Sequence, residues 1–167
     1  YSSADVKKNP TRGVSIEAGF NARDNLDKTS SYLNLRGSFS FYQSLGGSLV
    51  FAHRTGAATN FGDYDIYFAN TLGRSENLRG FWRYRFSGKT SFYQNTELRL
   101  ALSKRKNFGM LGFFDDGRVW IDDEDSRTID VGYGGGFYFI PFNALGLNLS
   151  YGRSKETDMI MIKTGFL

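Results

Sequence analysis

The sequence predicts an all-β fold, an antiparallel transmembrane β-barrel, on three observations. Apolar and polar residues alternate with a period of two in segment after segment. The composition is polar on average, with a mean hydropathy of −0.40, yet it carries 16 Phe, 10 Tyr and 20 Gly in 167 residues. Tight turns and long polar loops take turns as connections. A barrel wall gives this combination, because lipid-facing and lumen-facing side chains alternate and their hydropathies cancel. No stretch approaches the roughly 18 apolar residues of a transmembrane helix.

Eight strands are expected, in one region spanning 1–167. In Val14 to Ala22, Val14, Ile16, Ala18, Phe20 and Ala22 share one face and Ser15, Glu17, Gly19 and Asn21 the other. In Tyr32 to Tyr42, Leu33, Leu35, Phe39 and Phe41 oppose Asn34, Arg36, Ser38 and Ser40. Ser48 to Thr55 alternates less cleanly. A polar, aromatic loop of residues 56–89 follows, expected to fold inward. Phe92, Leu98, Leu100 and Leu102 then oppose Asn95, Glu97 and Arg99. Met110, Phe114 and Trp120 oppose Phe113, Asp115 and Gly117. Ile129, Val131, Tyr133, Phe137 and Phe139 oppose Asp130, Gly132, Gly134 and Gly136. Leu145, Leu147, Leu149 and Tyr151 oppose Gly146, Asn148 and Ser150, and Ile160, Ile162 and Phe166 oppose Met161, Lys163 and Gly165.

The tight connections are residues 43–46, 104–106 and 141–144; the longer ones are 23–31, 56–89, 122–127 and 153–157. Short turns at one end and long loops at the other match outer-membrane barrels, whose turns are periplasmic and whose loops are extracellular. In a soluble sandwich or lipocalin-like barrel the apolar face would point inward instead. Alternation alone does not choose between them. The run Gly132, Gly134, Gly136 and the charges Glu17, Arg36, Glu97 and Arg99 on the minor face favour a wet or plugged lumen.

Several function classes lose support. There is no Cys, so no disulfide framework and no thiolate metal site. The net charge of +4 is modest and the cations are scattered, which argues against nucleic acid as a partner. His53 is the only histidine. It has no nucleophile signature beside it, so no catalytic residue is expected; it is placed near the extracellular rim. The acidic pair Asp115-Asp116 and the run Asp122-Asp123-Glu124-Asp125 could bind calcium, but such a run is more often a solvated loop, and neither metal nor cofactor is expected. The aromatics Trp82, Tyr84, Phe92, Tyr93, Trp120, Tyr133 and Phe137 read as girdle or loop packing before a carbohydrate platform. The GYGGG run is a wall with little side chain, since no helix follows it. A chain that opens Tyr1-Ser2-Ser3 without Met reads as a processed product or a fragment.

Five motifs in order carry a resemblance. They are Pro10-Thr11-Arg12-Gly13, Leu78-Arg79-Gly80-Phe81, Arg85-Phe86-Ser87-Gly88, Glu97-Leu98-Arg99, and Phe113, Asp115 and Gly117 in an F-x-D-x-G spacing. Together they resemble the BamA/TamA-type bacterial surface antigen superfamily of outer membrane assembly and translocation barrels. The resemblance implies a bacterial outer membrane protein that inserts or exports proteins through a lateral gate or lumen. It also implies that Arg79 on an inward loop meets Asp115, Glu97 or both. Leu78, Arg79, Gly80, Phe81, Glu97, Arg99, Phe113, Asp115 and Gly117 are then expected to form a loop latch. Family barrels have sixteen strands, so the chain is expected to be the C-terminal half of one. Eight strands closing alone would leave no room for an inward loop. Implied partners are membrane lipid including lipopolysaccharide, the remaining N-terminal strands of the same barrel, client outer membrane proteins and accessory lipoproteins. The segments GYGGGFYFIPFN and QNTELRL also resemble barrels that end chains carrying a calcineurin-like phosphoesterase. The second reading is therefore a passive membrane anchor or export channel for an N-terminal enzyme domain.

Overall fold

Period-two alternation builds strands, and here nearly every such run pairs with its neighbour in sequence. The computed structural model describes residues 1–5, 9–24, 31–121, 128–143 and 145–167. The strands are β1 (Gly13–Asp24), β2 (Ser31–Gly46), β3 (Leu49–Gly62), β4 (Asn70–Leu72), β5 (Phe86–Gly88), β6 (Thr90–Ala101), β7 (Phe108–Trp120), β8 (Asp130–Phe139), β9 (Leu147–Ser154) and β10 (Asp158–Thr164). One short helix, α1 (Arg74–Asn77), lies between β4 and β5. Eight strands form one antiparallel sheet in the order β1-β2-β3-β6-β7-β8-β9-β10; β4 and β5 form a separate hairpin. The sheet is open, with β1 and β10 at its edges.

The apolar face points outward. Leu98 and Phe114 are 48% and 49% exposed, whereas Glu97 and Asp115 on the opposite face are 1% and 0% exposed. This inversion of a soluble core runs across the sheet: Phe20, Leu100, Phe137, Leu149 and Ile162 are exposed, and Asn95, Arg99, Asn148 and Ser150 are buried. A sandwich or lipocalin pattern would bury the first set.

Residues 63–89 fold back over the inner face. Leu72, Leu78 and Phe81 are buried together against Phe86, Tyr93 and Val119. A second cluster of Leu111, Phe113, Tyr138, Ile140 and Met161 fills the inner face of β7 to β10. Beyond β10, Gly165 adopts φ +84, which only glycine takes freely, and turns the chain inward. Phe166 packs edge-on against Tyr138 with centroids 5.2 Å apart. Leu167 joins Tyr42 and Ala52, and the Tyr42 hydroxyl donates to its carbonyl at 2.5 Å. Tyr42 lies on β2, near the far edge of the sheet, so the sheet must curl strongly for this contact to form.

Three local expectations need correction. The third strand does not stop at Thr55; it continues to Gly62, so the inward loop begins at residue 63 rather than 56. Gly56, Ala57, Ala58 and Thr59 read as loop because they are small. They stay extended because β2 pairs with them on one side and β6 on the other. Residues 153–157 are not a long loop: Arg153 pairs with Asp158, and Ser154 N donates to Thr157 O at 3.0 Å, closing a tight turn. His53 is not at a rim. It sits mid-strand on the outward face between Phe41 and Thr96, with its ring nitrogen 3.1 Å from the Thr96 hydroxyl. The predicted acidic run at 122–125 lies outside the described residues, as do 25–30 of the first long loop.

Candidate functional site

Antiparallel register places the inner-face residues in rows. One row pairs Arg54 with Asn95, Asn95 with Asp115, and Asp115 with Gly132; the next pairs Ala52 with Glu97, Glu97 with Phe113, and Phe113 with Gly134. Two carboxylates, Glu97 and Asp115, therefore stand on adjacent strands one row apart, facing the lumen. Left alone they would repel each other in a dehydrated space.

The tip of the inward loop supplies the cation. Arg79 donates from its backbone nitrogen to Asp115 Oδ2 at 3.0 Å, from Nε to the same oxygen at 2.6 Å, and from Nη2 to Asp115 Oδ1 at 2.6 Å. Its Nη1 donates to Glu97 Oε1. The guanidinium carbon lies 3.9 Å from the centroid of the Phe113 ring, so the planar cation is stacked as well as forked. Arg79 is 4% exposed. Burial by itself would weaken this cation, but the charges and hydrogen bonds of Glu97 and Asp115 outweigh it and hold the group firmly protonated.

Glycines make the seat. Gly80 has φ +89, and a Cβ there would lie 2.9 Å from the carbonyl oxygen of Arg153. On the wall, a Cβ at Gly132 would overlap the carbonyl oxygen of Arg79. A Cβ at Gly152 would meet Met161 Cε at 2.6 Å and the backbone nitrogen of Gly80 at 3.1 Å. The tip thus lies backbone-against-backbone on β8 and β9. Leu78 and Phe81, both 0% exposed, flank it.

A polar network holds the rest of the loop. Arg54 Nη2 donates to Asn95 Oδ1 at 2.8 Å and also to the Glu76 carbonyl, and Asn95 Nδ2 donates to the Asn77 carbonyl at 2.8 Å. Asn34 Nδ2 donates to Asn60 Oδ1 at 2.7 Å and Asn70 Oδ1 at 2.9 Å. Arg85 forks onto Glu156 at 2.6 and 3.0 Å, tying the loop to the β9–β10 turn.

The chain is similar to the crystal structure of BamA from Haemophilus ducreyi lacking POTRA domains 1–3, with a TM-score of 0.81 and 16% identity over 99% of this chain. The likeness is one of fold. The chain spans 40% of that structure's length. Neither a family model nor a curated protein matches it. The eight-stranded antiparallel sheet matches the barrel of that structure.

The structure brings together Leu78, Arg79, Gly80, Phe81, Glu97, Phe113 and Asp115. It separates two of the predicted group. Arg99 touches this cluster only through Glu97, at 3.9 Å; its hydrogen bonds go to Asn9 Oδ1 at 2.9 Å and the Pro10 carbonyl at 3.0 Å. It therefore ties the turn before β1 to the wall, while Phe166 covers its face at 4.9 Å. Gly117 receives Leu72 rather than the tip, with a Cβ there 2.9 Å from Leu72 Cδ1. Sequence reasoning missed Arg54, Asn95, Gly132 and Gly152. For the first two, the available signal was their position on the polar face, Asn95 two residues from Glu97 on β6 and Arg54 on the neighbouring β3. For the glycines it was their recurrence on the lumen face of adjacent strands. Among the described residues no cluster of His, Asp and Glu has the composition to hold a metal ion. Of the predicted aromatics, Tyr93 packs inward beneath Arg54, 5.2 Å from its guanidinium carbon, while Tyr133, Phe137 and Trp120 are exposed on the outer side.

Proposed function

We propose that this chain is part of a bacterial outer-membrane barrel of the assembly or translocation kind. In it the Leu78–Phe81 tip is a latch that fixes the curvature of the wall beside the open edge at β10. The observation that carries this is the burial of Arg79 between Asp115, Glu97 and Phe113, on a glycine-lined seat contributed by β8 and β9. One buried side chain thereby joins the loop to β6 and β7, and the tip's backbone rests on β8 and on β9, the strand that pairs with β10. Undocking the tip would free β8 to β10 to move relative to β6. The edge of β10, and that of β1 beyond Ile16, where the pairing of residues 1–3 with its first residues ends, are then the places where strands completing the barrel, or a client strand, add by backbone pairing. Remaining strands of the same barrel are the first partners to expect. Lipid, including lipopolysaccharide, bathes the outward apolar face.

The test is replacement of the chromosomal copy by an Arg79→Ala variant, followed by measurement of other outer membrane proteins and of the variant's own insertion. An assembly role predicts lower levels of several unrelated barrels while the variant itself is still inserted. If the barrels keep their levels even after depletion of the whole protein, the assembly reading fails. An anchor or export role for an attached enzyme domain then stands.

A further inference from the structure

The turn joining β6 to β7 holds three consecutive cations, Lys104, Arg105 and Lys106, all exposed. Among the described residues none of them has a carboxylate partner. Hydrogen bonds close the turn. Ser103 Oγ accepts from Asn107 N and Phe108 N, each at 3.1 Å, and Lys106 N donates to the Ser103 carbonyl at 2.9 Å. Lys106 adopts φ +55, a left-handed conformation that a residue with a side chain takes at a cost. Like charges are thus gathered, without a counter-ion among the described residues, in a turn with a left-handed residue.

Directly beside the turn lies an apolar groove on the outward face. It has a volume of about 270 Å³ and is lined by Phe108, Phe137, Phe139, Leu147, Leu149 and Ile162. Phe108 and Phe137 stack along it, with centroids 6.2 Å apart and planes within 1° of parallel. The two features are covalently and hydrogen-bond adjacent: Phe108 follows the turn in sequence, and the Asn107 carbonyl accepts from Ile140 N at 2.7 Å, just past Phe139. Phe142, on the neighbouring turn, is 100% exposed.

We propose that the β6–β7 turn and this groove bind an anionic glycerophospholipid. Its acyl chain lies along Phe108, Phe137 and Leu149, and its phosphate meets Lys104, Arg105 and Lys106. An apolar channel that ends at a cationic rim matches the two halves of such a lipid. Lys and Arg stems extend along apolar surface while their charges reach the headgroup level. The turn end is opposite the long loops and so belongs to the periplasmic leaflet, which assigns a glycerophospholipid rather than lipopolysaccharide. The site depends on the membrane-barrel reading but not on the loop latch.

The experiment folds the full-length chain into phosphatidylcholine vesicles containing a minor fraction of phosphatidylglycerol. Retained lipid is counted by native mass spectrometry after gentle extraction. A parallel set of vesicles carries lipopolysaccharide instead. Wild type should retain phosphatidylglycerol with roughly tenfold enrichment over its share of the bilayer, and K104Q/R105Q/K106Q should lose it. R153Q/K155Q, which neutralises exposed cations at the other end, should keep it. Insertion is read separately from protease protection of the strands. Insertion without enrichment, equal loss in R153Q/K155Q, or preferential retention of lipopolysaccharide each overturns the lipid site and leaves the barrel standing. Failure to insert at all overturns both.

Discussion

Arg79 binds Asp115 twice over, through its backbone nitrogen at 3.0 Å and through two guanidinium nitrogens at 2.6 Å each. The backbone bond fixes where the loop sits and the side-chain fork fixes how the cation is turned. Because the remaining guanidinium edge reaches Glu97, a single residue bridges carboxylates on two neighbouring strands. The contact is specific to arginine, since only a planar fork can serve both acids at once.

Arg79→Ala should release the tip and leave Asp115 buried without its cation, while Glu97 keeps only the more distant Arg99 at 3.9 Å. Stranding a buried charge costs about 3–5 kcal/mol. The expected result is rapid hydrogen exchange and protease cleavage within residues 72–86 in a barrel that still inserts. Arg79→Lys should recover only part of the protection. If the alanine variant protects the loop as wild type does, the latch is wrong.

Asp115→Asn keeps the shape and removes the charge. Each charge-assisted hydrogen bond lost is worth about 1.5–3 kcal/mol. A double-mutant cycle of Arg79→Ala with Asp115→Asn, read by loop exchange rates, should show coupling well above the ~0.5 kcal/mol expected of independent sites. Simple additivity would mean that the two residues do not act as a pair.

Gly132→Ala tests the seat without touching a charge. The new Cβ would overlap the Arg79 carbonyl oxygen, forcing the tip away from β8. Overpacking of this kind costs about 1–3 kcal/mol. Loop protection should fall, as in Arg79→Ala. Gly37→Ala is the control, because a Cβ there makes only an ordinary 3.5 Å contact with the Glu17 carbonyl. Equal behaviour of the two variants would count against a close-packed seat.

Phe114→Arg places a charge on the outward face in the middle of β7, where Phe114 is 49% exposed. On a lipid-facing wall this should lower folding stability in vesicles by about 2–4 kcal/mol, measured by denaturant titration. On a solvated surface the same change would cost almost nothing, so a neutral result would deny the membrane orientation.

The strands were legible because periodicity is local. Val14 to Ala22, Tyr32 to Tyr42 and Met110 to Trp120 each show their faces within ten or so residues, and all three are strands. The second half of β3 was not legible. Gly56 to Thr59 have small side chains with little pattern, and their extended shape comes from β2 and β6 on either side. His53 was misplaced for a related reason: a polar residue reads as rim, but its ring finds the Thr96 hydroxyl across the strand pair. The destination of Arg99 was equally hidden, since Asn9 and Pro10 lie some ninety residues away in sequence.

Alternation of side chains along the chain, and the order of tight and open connections, were enough to specify an antiparallel wall with one greasy and one polar surface. These are properties of each segment and its immediate neighbours. The glycines and charges of the minor face favour that surface as the inner one, and the tertiary structure settles it, where residues 63–89 cover the polar side and leave Leu98 and Phe114 exposed. The same holds for the bare patch of Gly132 and Gly152 on which the loop tip rests: a glycine records the absence of a side chain, and only the packed chain shows what occupies the space.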